Sequence, residues 1–119
     1  MFCTTYFGNL KNLPKDIIPI SICGKAPDWY KGFQYKKLAP KYSFFMEWKE
    51  NHDNKFYIDH FKREVLDTLD VNQVFNDLNA MTGGKDFALV CYEKPNEFCH
   101  RHLVADWFCK HGIAIMELR

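Results

Sequence analysis

A chain of 119 residues, 47% hydrophobic and 26% charged, has room for one hydrophobic core and not for two. Sixteen basic against fifteen acidic residues give a net charge of +1, which excludes the broad basic footprint that duplex DNA or an anionic membrane surface requires. Nowhere do eighteen apolar residues run together, and the five cysteines are odd in number and sparse, so the expectation is one domain over 1–119, cytoplasmic, with reduced thiols.

Taken in chain order, Met1 to Phe7 is β-branched and aromatic and stops at Gly8-Asn9, which reads as a first strand. Ile17 to Cys23 reads as a second, ended by Gly24. Pro19 inside it lacks a ladder N–H, so this strand lies at an edge or begins after the proline. The stretch from Gly24 to Tyr42 is the least regular. Its Trp29, Tyr30, Phe33 and Tyr35 alternate with Lys25, Lys31, Lys36 and Lys37, a composition suited either to the wall of a site for a planar, phosphorylated ligand or to a loop pinned by its rings.

Helical spacing follows. From Lys41, Phe44, Phe45 and Trp48 share a face, and the helix ends in the polar run Glu50 to Asn54. Ile58, Phe61, Val65 and Leu69 predict a second helix with one buried stripe, and His52 and His60 read as exposed residues on or between these helices. Asp70 caps a third, with Gln73 as a weak capping box, the inner face Val71, Val74, Phe75, Leu78 and Met81, and an end at Gly83-Gly84. Phe87 to Cys91 is a continuous apolar run, as expected of a central strand covered on both faces. Leu103, Val104, Trp107 and Phe108 mark the last helix, closed by His111-Gly112, and Ile113 to Leu118 predicts a final strand parallel to the one before it. The fold class is therefore α/β: a three-layer, Rossmann- or flavodoxin-like domain with a small, mostly parallel sheet of about four strands flanked by helices.

The candidate site lies between Asp86 and Val104, where an apolar strand, a polar loop and a helix start carry Cys91, Glu93, Cys99, His100 and Arg101. Such junctions bring side chains and free N–H groups to one crevice, and a helix N-terminus favours an anion and a thiolate. Arg101 adds a planar fork for phosphate or carboxylate. Spacing removes several chemistries. The sixth residue after Cys91 is Glu97 and after Cys99 is Ala105, so no phosphatase-type Cys-to-Arg loop exists; no two cysteines stand as Cys-x-x-Cys; and Gly83-Gly84-Lys85-Asp86 precedes a strand rather than a helix, which is not a phosphate-binding loop. For zinc, Cys91, Cys99 and either His100 or His102 supply three ligands but no fourth, since Cys109 is ten residues along the helix; the expectation is no metal and no cofactor. A Cys91–Cys99 disulfide or a reactive thiol is the other cysteine reading, with Cys3, Cys23 and Cys109 as small core residues.

The segment CYEKPNEFCHRHLVADW, Cys91 to Trp107, resembles the Cys-x-Glu…Cys-His-Arg segment of a widespread bacterial and phage family, number four-eight-eight of the domains of unknown function. Pro19 to Pro40 and the helix YIDHFKREVLDTLD are similar to a subgroup of it. The resemblance implies a compact three-layer α/β domain whose defining residues here are Cys91, Glu93, Cys99, His100 and Arg101, and it implies no activity. Where the family usually closes its second strand with Asp-Val-Arg, this chain has Ile20-Ser21-Ile22, which removes an acid and a base that could act elsewhere in the family.

The leading functional expectation is a binding module for a small phosphorylated or nucleotide-like ligand, sensing or sequestering a nucleotide signal. Arg101 and the helix N-terminus would hold the anion, Glu93 a ribose hydroxyl or an amine, and Trp29, Tyr30 or Tyr35 would stack on the ring. The alternative is an enzyme on a similar ligand, with Glu93 as base or Cys99 as nucleophile and His100 as proton carrier. A third reading is a structural or partner-binding domain in which Glu93 and Arg101 form a buried ion pair, and surplus aromatics with an edge strand leave room for a homodimer.

Overall fold

Phe87–Cys91, the run with no polar side chain, is the fully buried centre of the sheet, and the other strands are arranged about it. In the computed structural model, which describes residues 1–119, the strands are β1 (Cys3–Tyr6), β2 (Ile18–Ser21), β3 (Phe33–Gln34), β4 (Phe87–Cys91) and β5 (Met116–Glu117). They form one all-parallel sheet in the order β3-β2-β4-β1-β5. The class is α/β as expected, with five strands rather than about four. The additional one, β3, is a two-residue edge inside the stretch expected to be irregular. Pro19 sits inside β2 opposite Ala88 of β4, whereas β3 begins pairing only at Ile20, so the missing N–H falls beyond the reach of the edge strand.

The pleat of β4 divides the core. Phe87, Leu89 and Cys91 point into a cluster of 19 buried residues to which α1 (Tyr42–Asn51), α2 (Asn54–Glu64), α3 (Val71–Thr82) and α4 (His100–Lys110) all contribute. Ala88 and Val90 point the other way, into a smaller cluster with Cys3, Phe7, Ile17, Cys23 and Tyr30. That face is covered by the 3₁₀ turn Phe7–Asn12 and the loop after β2, so the third layer is built of loop and short turn. Tyr30 anchors it: its hydroxyl donates to Phe33 O at 2.7 Å, and a Cβ on Gly32 would meet the Tyr30 hydroxyl oxygen at 2.4 Å, so a glycine lets the ring lie there undisturbed.

Two helical expectations need correction. α2 ends at Glu64, so Val65 precedes the 3₁₀ turn Leu66–Thr68 and Leu69 follows it; within α2 the buried rings are Tyr57 and Phe61, while Ile58 is 41% exposed. Asp70 does cap α3, accepting from Asn72 N at 3.0 Å, but Gln73 reaches forward to Asp77 instead of back to the cap. Gly83, at φ 65°, closes α3 in the left-handed conformation.

Candidate functional site

The chain leaves β2 toward the smaller core cluster and leaves β4 toward the larger one, where α4 packs. Adjacent parallel strands whose continuations part in this way leave a crevice beyond their carboxyl ends, the usual ligand position in open α/β sheets. Here it is a cleft of about 670 Å³. Cys23, Gly24 and Lys25 after β2 form one side, and Cys91, Tyr92 and Glu93 after β4, with His100 at the start of α4, form the floor. Pro40 and the α1 residues Tyr42, Phe45, Trp48 and Lys49 form the opposite wall. The Tyr92 hydroxyl donates to Lys25 O at 2.6 Å, tying the two strand-end loops together beside the opening.

The floor is a buried knot of soft donors. Cys91 Sγ, Cys99 Sγ and a ring nitrogen of His100 lie within 4.8 Å of one another, and all three residues are buried. His100 Nε2 is 2.7 Å from Ile22 O; a carbonyl only accepts, so Nε2 carries a proton there and, in the neutral ring, Nδ1 is the nitrogen with a free lone pair. The Cys91 sulfur sits beside the ring, 3.8 Å from Nδ1 and 3.6 Å from Nε2. The Phe61 ring, 5.5 Å away edge-on, holds the imidazole from the core side. Cys99, the residue before α4, has its thiol held well below the ordinary value by the Cys91 thiol facing it, against the opposing effect of burial, and next by His100. Burial pushes Cys91 the other way, and the Cys99 sulfur adds to it. Glu93, half-buried, is raised by burial and then by the charge on Cys99. All five cysteines are free thiols.

Of the residues expected at the site, Cys91, Glu93 and His100 line the cleft and Cys99 lies directly behind it. The others are elsewhere. Arg101 is fully buried, its Nε and Nη2 forked onto the two carboxylate oxygens of Glu117 on β5 at 3.1 and 2.8 Å, while Thr4 Oγ1 donates to the same carboxylate at 2.5 Å. The expected anion fork is thus spent on an internal partner, and the buried pair is Arg101–Glu117, not Glu93–Arg101. His102 stands 3.9 Å from Glu117, outside the thiol cluster, which settles the choice of imidazole in favour of His100.

Trp29 and Tyr30 pack edge-on around Phe7 on the other face of the sheet. Tyr35 is in the larger core, donating to Asp77 at 2.6 Å. None of these three lines the cleft. The rings that do are Phe45 and Trp48 of the expected helix stripe, together with Tyr42 and Tyr92, to which the sequence gives no role. Cys23, expected as a core residue, is buried yet borders the cleft, and Cys109 is exposed. The available signal was α1 itself: four rings and Lys49 within eight residues exceed what the face of one short helix can bury.

A family model, DUF488-N3a, described as the active DUF488-N3 subclade, matches residues 7–112. No curated protein and no solved structure matches the chain.

Proposed function

This chain belongs to the DUF488 family, and from that premise we propose that its cleft receives a small planar ligand carrying an anionic group, of the nucleotide type. The observation that supports this reading most is the division of labour around the opening: rings of Tyr42, Phe45, Trp48 and Tyr92 on its sides, the ammonium groups of Lys25 and Lys49 at its rim, and Glu93 with His100 inside. A planar base stacks on such rings whatever its identity, with about 1–3 kcal/mol per base from a good aromatic contact. The lysines replace Arg101 as the anion's partners, acting as point charges rather than as a fork. Glu93 is the acceptor left for a ribose hydroxyl or an amine.

A second reading, turnover of that ligand, is favoured by the closeness of the groups it needs. Cys91, Cys99 and His100 are in mutual reach, and Ile22 O orients the imidazole, the arrangement of nucleophile, base and orienting group. The family's own description of its subclade as active agrees with it.

The test is to incubate the purified chain with a nucleotide pool, denature it and identify what is retained. Intact nucleotide supports binding, an altered product supports turnover, and nothing retained overturns both. Tyr42→Ala and Phe45→Ala, at positions outside the buried core, lower retention by about 5- to 100-fold. Lys25→Ala and Lys49→Ala lower it by about 2- to 5-fold each, an effect that fades at high salt. Unchanged retention in all four would place the ligand elsewhere.

A further inference from the structure

The three donors at the cleft floor are a set for which the sequence offered no fourth protein ligand. Three soft or borderline ligands converge, two thiols and an imidazole, from the end of β4, the residue before α4 and the first residue of α4. We infer that Cys91, Cys99 and His100 bind a thiophilic divalent cation of the zinc class, with a fourth coordination position open to the cleft.

Geometry and the surroundings of the imidazole carry this. Zinc–sulfur bonds of about 2.3 Å and zinc–nitrogen bonds of about 2.0–2.1 Å at tetrahedral angles put two sulfurs about 3.8 Å apart and sulfur and nitrogen about 3.6 Å apart. The three donors lie within 4.8 Å of one another, so closing onto an ion asks for about 1 Å of contraction at most. Cys91 Sγ, at 3.8 Å from Nδ1, rests beside the ring rather than on its lone-pair axis, and capture turns this sulfur toward the Nδ1 side. The independent observation is His100 Nε2–H donating to Ile22 O at 2.7 Å. Metal-bound histidines characteristically give their second N–H to a carbonyl or carboxylate, which fixes the tautomer and leaves the other nitrogen as ligand.

Cys23 is excluded, because its sulfur is taken up by Ser21 Oγ at 3.1 Å and Lys25 O at 3.6 Å and is not within the converging set. Three protein ligands and an open position is the catalytic arrangement of zinc rather than the closed structural one, and two cysteines with one histidine is a donor set used in that way. On loading, the Cys91 thiol releases its proton to solvent, and the Cys91 and Cys99 sulfurs each donate a lone pair to the ion, Cys99 being a thiolate already. One proton leaves for two positive charges gained, so the net charge of the cluster rises by one.

The inference stands apart from the nucleotide reading, since it is tested with metal alone. The reduced full chain is titrated with cobalt(II) and, separately, with zinc by calorimetry in two buffers of different ionisation enthalpy. Expected are one equivalent bound per chain, a near-ultraviolet thiolate-to-cobalt band with strong tetrahedral visible bands, displacement of cobalt by zinc, and proton release on zinc binding. Cys91→Ser and Cys99→Ser, close to isosteric, each lose the charge-transfer intensity and lower zinc affinity at least 100-fold, while Cys109→Ser on the exposed end of α4 binds as the parent does. Circular dichroism shows that the variants are folded. Absence of the sulfur band in the parent chain, or its persistence in both Cys91→Ser and Cys99→Ser, overturns the inference. A metal-loaded chain that retains no nucleotide overturns only the ligand reading, and a nucleotide-retaining chain that takes up no cobalt overturns only this one.

Discussion

Replacing Arg101 by Ala would leave Glu117, with only 14% of its side chain exposed, as a nearly buried carboxylate without its guanidinium and with only the His102 imidazole, at 3.9 Å, facing it. Breaking a buried pair from one side costs about 3–5 kcal/mol, and urea denaturation of Arg101→Ala is expected to show a loss of that size. The double variant Arg101→Leu with Glu117→Leu should lose much less, because no charge is then stranded. Equal losses in the two would mean that packing of the long side chain, and not its charge, matters here. Nothing local in the sequence joins these residues, sixteen positions apart on a helix and an edge strand, which is why Arg101 read as a free fork. A charged Glu117 within IAIMEL was the one visible hint of an inward partner.

A second residue-scale prediction concerns pH. Asp77, half-exposed on α3, has its carboxyl held below the ordinary value first by the Tyr35 hydroxyl and then by Gln73. A carboxyl depressed in the folded state contributes stability that is fully present above its unfolded value, near 3.8, and is lost as pH falls through the lower folded value. Thermal melts of the parent chain and Tyr35→Phe should therefore differ most at neutral pH and converge as pH falls below 3.8. A difference independent of pH would show that the Tyr35–Asp77 bond adds nothing through ionisation.

Among the elements, α2 bears out most of its expected stripe: Phe61 and Val65 are buried and Leu69 packs on the core, while at the first turn Tyr57 takes the inner place expected of Ile58. Tyr57→Ala removes a ring that packs against Phe44, Trp48, Phe61 and Phe98 and should cost about 3–5 kcal/mol. The neighbouring Ile58→Ala should cost much less, about 1 kcal/mol or below, since that side chain is 41% exposed. Similar midpoints for the two in urea would give Ile58 back its place in the stripe. Aspartates cap two helix starts, Asp70 as expected, accepting from Asn72 N, and Asp53 within a run expected only to end a helix, accepting from Lys55 N and Phe56 N. Ala at either position should cost about 1 kcal/mol.

β4 and α3 were legible because a continuous apolar run and a cap followed by period-3.6 spacing are local signals. β3 was not, because two exposed residues at an edge carry no pattern, and it exists only where Ser21 and its neighbours offer a ladder. The cleft was half legible for the same reason. Its floor comes from one continuous segment, while its aromatic wall comes from α1, some fifty residues earlier, and only the tertiary fold decides that those rings face a cavity and not the core.

At the scale of the whole molecule, β4 lies between β2 and β1, so the two N-terminal strands never touch each other. Every wall of the cleft depends on that insertion, since β2 and β4 furnish its two lips. A fragment of residues 1–85 should accordingly show helical far-ultraviolet dichroism but neither cooperative unfolding nor slow amide exchange at Cys3–Tyr6. Slow exchange there would mean that β1 finds another partner.

For a chain made from its N-terminus, this means the keystone arrives late, after both strands it joins and three of the four helices. At a synthesis rate of about 5–20 residues per second, β1 waits several seconds with both its edges bare before residue 91 leaves the ribosome. During that interval CTTY and IPIS are unpaired strand formers beside many aromatic rings, so the newborn polypeptide, far more than the finished protein, is the form that needs a chaperone's protection.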